Sequence, residues 1–113
     1  MNSYNLDEVK EMADGDEEFM LVVVQTFLEE IPPDVAAMKE AILNDNPSLA
    51  YQYAHKMKPN LQLFGLNLMD QIKVIEAWSK QGKREDDVPG AAETISKKVD
   101  VAASALKRDF KLE

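Results

Sequence analysis

The sequence contains no cysteine, which removes disulfides, thiolate metal sites and a cysteine nucleophile from consideration. Glycine is scarce, with four in 113 residues, and none forms a phosphate-cradling loop. The chain is therefore expected neither to bind nor to hydrolyse ATP by itself. Positive charge is also in deficit: 13 Lys and Arg stand against 21 Asp and Glu, a net −8 at pH 7. Such a balance repels polyanions, so nucleic acid and anionic membrane surfaces are set aside as partners. No apolar run approaches the roughly 20 residues of a membrane span, and the polar opening MNSYNLDEVKE is not a signal peptide. A soluble, cytoplasmic protein is the expectation. Histidine occurs once, which in the absence of cysteine argues against a structural zinc site.

What is present is apolar and periodic. Hydrophobic residues make up 45% of the chain, and 113 residues suit one compact domain over 1–113, burying about two-thirds of its unfolded surface. The terminal Leu112-Glu113 has the look of a cloning-tag remnant and is assigned no structural role.

A first short helix is expected over residues 6–13, ended by Asp14-Gly15-Asp16, which also supplies the next N-cap, with Glu17 and Glu18 in the following first turn. Val23, Phe27, Ile31, Val35, Met38 and Ile42 then recur at three- or four-residue steps. Their phase survives Pro32-Pro33, which favours one long helix over 17–44, kinked at the prolines; two helices with an abrupt joint are the other reading. Asn46 is an N-cap with Pro47 at the first helical position, and the next helix runs over 47–64 to a left-handed stop at Gly65. Asn67 is the candidate cap of a fourth helix bearing Leu68, Ile72, Ile75 and Trp78 on one face. A polar loop over 80–90 precedes a last helix with Ile95, Val99, Ala102, Leu106 and Phe110 in line. With no alternating strand pattern, the fold class is all-α: an antiparallel four-helix bundle with a short extra N-terminal helix.

The histidine lies within YAHKMKPNLQLFG, residues 53–65. At about 100° per residue, Tyr53, Met57, Leu61 and Phe64 fall on the side opposite His55 and face the core. His55 therefore points outward, among Ser48, Tyr51, Gln52, Lys58, Pro59 and Gln62. A lone outward polar residue is more often solvated surface than a site, so position permits reactivity without establishing it.

The string AHKMKPNLQLFGL resembles the phospho-accepting segment of histidine-containing phosphotransfer (HPt) domains of bacterial two-component phosphorelays. In that family a histidine is followed by any residue, an aliphatic residue, lysine, glycine and a small residue, with another glycine ten positions after the histidine. Here these positions hold His55, Lys56, Met57, Lys58, Pro59, Asn60 and Gly65. Upstream, FMLVVVQTFLEEIPPDVAAMKEAI looks like the family's long first bundle helix, and VIEAWSKQGK like the segment after the motif helix. The likeness covers most of the chain and is weakest after Lys83.

The resemblance implies a phosphoryl carrier in which His55 takes a phosphoryl group from a receiver-domain phospho-aspartate and passes it to another receiver aspartate. The partners implied are receiver domains of a hybrid kinase or of response regulators; no resident cofactor is implied, and Mg2+ is expected on the receiver. Imidazole, with a reference pKa of about 6.5, is a nucleophile near neutral pH without an added base. Lys58, one turn on, is the candidate for neutralising phosphoryl charge, and Tyr51, Gln52, Pro59 and Gln62 form the candidate docking face. Lys56 points about 100° away and is assigned to solubility rather than docking. Pro59 departs from the family's glycine. Its ring fills space a receiver would use, and its missing N–H leaves the His55 carbonyl without its helical partner. Either the ring joins an apolar docking surface, or the bundle has lost phosphate acceptance and serves as a helical interaction or dimerisation module.

Other chemistries are weaker. Asp14-Gly15-Asp16-Glu17-Glu18 and Asn44-Asp45-Asn46 lack the pattern of a calcium loop and read as caps. Glu29-Glu30 and Asp86-Asp87 read as solvated surface rather than hydrolytic pairs.

Overall fold

The computed structural model describes residues 3–82 and 87–112. Among these there are five helices and no strand: α1 (Asp7–Ala13), α2 (Glu17–Leu43), α3 (Pro47–Leu63), α4 (Met69–Gln81) and α5 (Asp87–Asp109).

Local chemistry accounts for most of the boundaries. The Asn5 side-chain oxygen accepts the Asp7 N–H at 2.8 Å and starts α1. Asp16 accepts the Phe19 N–H at 3.1 Å at the head of α2, and Asn46 accepts the Leu49 N–H at 3.2 Å at the head of α3, both as expected of caps. Between α2 and α3 the reversal is very short. The Asp45 and Asn46 amides bond back to the Ile42 and Ala41 carbonyls at 3.1 and 2.9 Å, so Asn46 closes one helix and caps the next. Gly65 ends α3 the same way: at φ +73° it donates to the Gln62 carbonyl, while Leu66 donates to that of Leu61.

Pro32 and Pro33 lie inside a single α2, and Phe27, Ile31, Val35, Met38 and Ile42 are buried on both sides of them. The one-helix reading is the correct one. Three boundaries differ from expectation, the first being the end of α4, which continues through Lys80 and Gln81, residues expected in the loop, to a left-handed stop at Gly82. Asn67 does not cap α4; Leu68 holds that position without a side-chain cap, because its fully buried side chain sets where the helix can begin. Helix α5 already includes Asp87–Gly90, part of the expected loop. Pro89 sits in its first turn, where a missing N–H is harmless, and Val88, Ala91 and Ala92 extend its buried stripe. Residues 83–86 of that loop, with Asp86, lie outside the described residues. Leu112 also has a role that was not expected, being half buried against the core with its N–H on the Lys107 carbonyl at 2.8 Å.

Helix α2 packs against α3 and α5, and α4 packs against the same two, so the four long helices close a ring, with α1 laid against α2. Short reversals make chain neighbours antiparallel, which gives the expected four-helix bundle with a short N-terminal helix. The core is continuous from Val9 and Phe27 through Met38, Met57, Phe64 and Trp78 to Leu106. Each large apolar side chain buried there contributes about 1.5–3 kcal/mol. The Phe27 and Phe64 rings meet at 4.3 Å between centroids, locking α2 to the end of α3. The molecule measures 47 × 25 × 24 Å, its long axis exceeding by several ångströms the roughly 40 Å reach of α2. Among the described residues, no helix is long and apolar enough to cross a membrane.

Candidate functional site

Helix α3 is held by a narrow apolar stripe. Ala50, Ala54, Met57 and Leu61 are buried and step regularly along it, while Tyr53 is only partly buried at the edge. Fixing that stripe against the core turns the opposite side outward, and His55 stands exposed on it, midway along the helix. Among the described residues, no hydrogen bond or ion pair ties the imidazole down; its one recorded partner is the Tyr51 ring, with centroids 5.6 Å apart and planes inclined at 41°.

The residues expected around His55 divide between two flanks. Tyr51, Lys58 and Gln62 lie on the side of α4. The Tyr51 hydroxyl donates to Glu76 Oε2 at 3.1 Å, and the Gln62 amide reaches Met69 Sδ at 3.4 Å. Gln52 and Pro59 are exposed, and their helical phase puts them on the flank of Lys56, which pairs with Asp34 of α2. At about 100° per residue, Tyr51 is some 40° to one side of His55 and Pro59 some 40° to the other, so His55 occupies the crest between the two seams. Pro59 is accommodated within α3, which runs unbroken as a single assigned helix past it.

Three further residues shape the surroundings. Lys56 is not a free solubilising charge: its Nζ lies 3.1 Å from Asp34 Oδ1 on α2. Asp34 is only 6% exposed, so this cation compensates a carboxylate that the fold has taken out of water. The physical reason is the same 100° offset that turned Lys56 away from the crest, because that direction leads into the α2 seam. Glu76, on α4, accepts Tyr51 with one oxygen and pairs with Lys80 through the other at 3.3 Å. The Lys80 ammonium and the Tyr51 hydroxyl together hold the Glu76 carboxyl below the usual carboxylate range, with a smaller pull from Lys58; the same bond to Glu76 raises the Tyr51 phenol. The Glu76 and Lys80 pair was legible as an i,i+4 pattern, and Asp34 as a carboxylate between the buried Ile31 and Val35. Nothing in the sequence says which partners they meet across the seams.

Chemically, the arrangement presents one imidazole in solvent and a lysine a turn later on the same face. Among the described residues, no three His, Cys, Asp or Glu side chains converge as a possible metal site. The acidic turns serve as caps through Asp16 and Asn46. In comparisons with known proteins, the chain matches no family model, no curated protein and no solved structure.

Proposed function

We propose that this bundle is a phosphorelay intermediate of the HPt type, in which His55 carries a phosphoryl group between receiver-domain aspartates. The observation that carries the proposal is the exposed, mid-helix imidazole on a bundle whose core-facing stripe fixes its direction, with Lys58 one turn away. A lone pair on an imidazole nitrogen forms the N–P bond while the acyl-phosphate O–P bond breaks, and the aspartate carboxylate leaves with the electron pair. The imidazolium so formed gives its proton to solvent. Transfer to a second receiver reverses these bonds. Little covalent machinery is needed, since such transfers depend on in-line placement and charge compensation. Lys58 supplies positive charge on the His55 face, and Mg2+ belongs to the receiver.

Docking uses Tyr51, Gln52, Pro59 and Gln62 around the histidine, together with the adjoining surface of α2. Pro59 contributes an exposed apolar ring to that face instead of the open space of a glycine.

Incubation with phosphorylated receiver domains tests the proposal. Acid-labile, alkali-stable phosphate should appear on the wild-type chain and not on His55→Gln, which should remain folded because exposed substitutions usually shift stability by no more than about 0.5 kcal/mol. Labelling that persists in the variant, or no labelling of the wild type by any receiver, would leave the helical interaction module as the better reading.

A further inference from the structure

The docking face contains a residue with a second task. Tyr51 is only partly exposed, and both ends of its side chain are engaged: the ring lies 5.6 Å from the His55 ring, and the hydroxyl donates to Glu76 at 3.1 Å. Glu76 is itself held by Lys80 at 3.3 Å, one turn further along α4. A connected path thus runs from α4 across the seam and ends on the imidazole.

We propose that Tyr51 is a positioning residue for His55, and that Glu76 acts through it to set the angle of the imidazole ring. The histidine needs such a neighbour. Its second side-chain torsion is intrinsically broad, so an exposed imidazole without contacts sweeps a wide range of ring angles. Nucleophilic attack on phosphorus uses a lone pair in the ring plane, and only some of those angles point it in line. A phenol ring 41° from the imidazole plane and anchored at its far end narrows the range from one side. The anchor is charge-assisted, since Glu76 is kept ionised by Lys80 and offers an acceptor-only carboxylate to the phenol. Tyr51 is thus the residue whose contacts join α4 to the histidine, through Glu76 on one side and the imidazole on the other.

The ring-angle part of this proposal stands on the geometry alone, while its effect on transfer rests on the phosphocarrier reading. Single-turnover transfer from a phosphorylated receiver, followed over receiver concentration, separates positioning from docking. Tyr51→Phe keeps the ring and removes the anchor; Glu76→Ala removes the acceptor. Each is expected to lower the saturating rate about fivefold or more, with half-saturation moved by less than about twofold. The double variant should be no slower than the slower single one, because both interrupt one path. Glu76→Gln, whose amide oxygen can accept the same hydroxyl in a weaker, uncharged bond, should recover part of the rate lost in Glu76→Ala.

A change confined to half-saturation would make Tyr51 a docking contact only, and a loss of thermal stability with an unchanged saturating rate would make it a structural one; either overturns the proposal. NMR relaxation of the His55 ring in the unphosphorylated protein gives an arm that needs no transfer. Ring motion should increase in Tyr51→Phe and Glu76→Ala and lie between these and the wild type in Glu76→Gln. Equal ring motion in all four proteins overturns the inference. If the wild type accepts no phosphate, the phosphocarrier reading falls, and the ring-motion arm still decides whether Tyr51 sets the histidine's angle.

Discussion

His55 and Lys56 are adjacent in the chain and have opposite surroundings, one in solvent and the other on a buried carboxylate. That separates the effects of the two lysines near the site. On the phosphocarrier reading, Lys58→Ala should slow transfer or shorten phosphohistidine lifetime while leaving stability near wild type. Lys56→Met should do the reverse, since it strands the Asp34 carboxylate, at a cost of about 1–3 kcal/mol. Urea denaturation measures that loss, and the double variant Lys56→Met/Asp34→Leu should recover much of it, because two apolar groups leave no unpaired charge. Equal transfer defects from the two single lysine variants would remove Lys58 from the phosphoryl group. On the exposed face around His55, the phosphocarrier reading expects Gln62→Trp to obstruct receiver approach and block transfer and Pro59→Gly to preserve it; unchanged transfer by a folded Gln62→Trp would move the receiver to another surface. At this scale the direction of each side chain was legible from helical phase, which placed His55 outward and Met57 and Leu61 inward. The partners of Lys56 and Tyr51 were not, because phase reports a bearing on one helix and says nothing of what the next helix presents there.

Among the elements, the turn after α3 has a structural explanation that does not involve phosphate. Gly65 has φ +73°, and a Cβ built on it would fall 2.5 Å from the Cβ of Asn5, whose N–H donates to the Phe64 carbonyl at 2.8 Å. The glycine therefore serves both the left-handed turn and the seat of the N-terminal segment. Gly65→Ala should lose about 1–2 kcal/mol to the left-handed backbone alone, with a further loss as Asn5 is displaced. Hydrogen exchange should show that loss first in the α1 amides. The phosphate uptake proposed for His55, ten residues and about 15 Å back along the helix, should be unaffected. Caps with an Asx residue before a periodic run, Asp16 and Asn46, were readable in advance. The start of α4 was not, because burial of Leu68 outweighed the capping chemistry of Asn67. The start of α5 was misplaced because Pro89 and Gly90 look like loop residues unless the proline is known to fall in a first turn.

For the whole molecule, the ring of four amphipathic helices was legible because every long segment kept one apolar phase, and an unbroken phase through Pro32-Pro33 decided the helix count. Its response to pH follows from interactions between distant parts of the chain. The Tyr4 hydroxyl donates to Asp109, and burial, reinforced by that carboxylate, pushes the phenol up to about 12 from 10.0. A group with a raised native pKa contributes stability that is complete below its unfolded value and is lost as pH climbs through its folded value. Stability should thus fall between about pH 10 and 12, and Tyr4→Phe should flatten that limb in thermal melts compared with wild type. At the acid end, Glu76 and Asp109 are both lowered, by Lys80 first in one case and by Tyr4 first in the other. Their contribution is present above the ordinary carboxylate range and is lost as pH drops below about 4. A melt series on Glu76→Gln should show a shallower acid limb, and identical limbs would mean that the Tyr51 and Lys80 contacts are not maintained in solution.

The two seam contacts of α3 have one more consequence. Lys56 moors the helix to α2 and Tyr51 moors it to α4, from opposite sides of the crest. Rolling the helix about its own axis would unseat its buried stripe and slip one mooring or the other, so the side of the bundle on which His55 stands is set by the fold. On the phosphocarrier reading, the entropy of aiming the histidine is lost once, when the chain folds, and an encounter needs only to bring the other reactant to it.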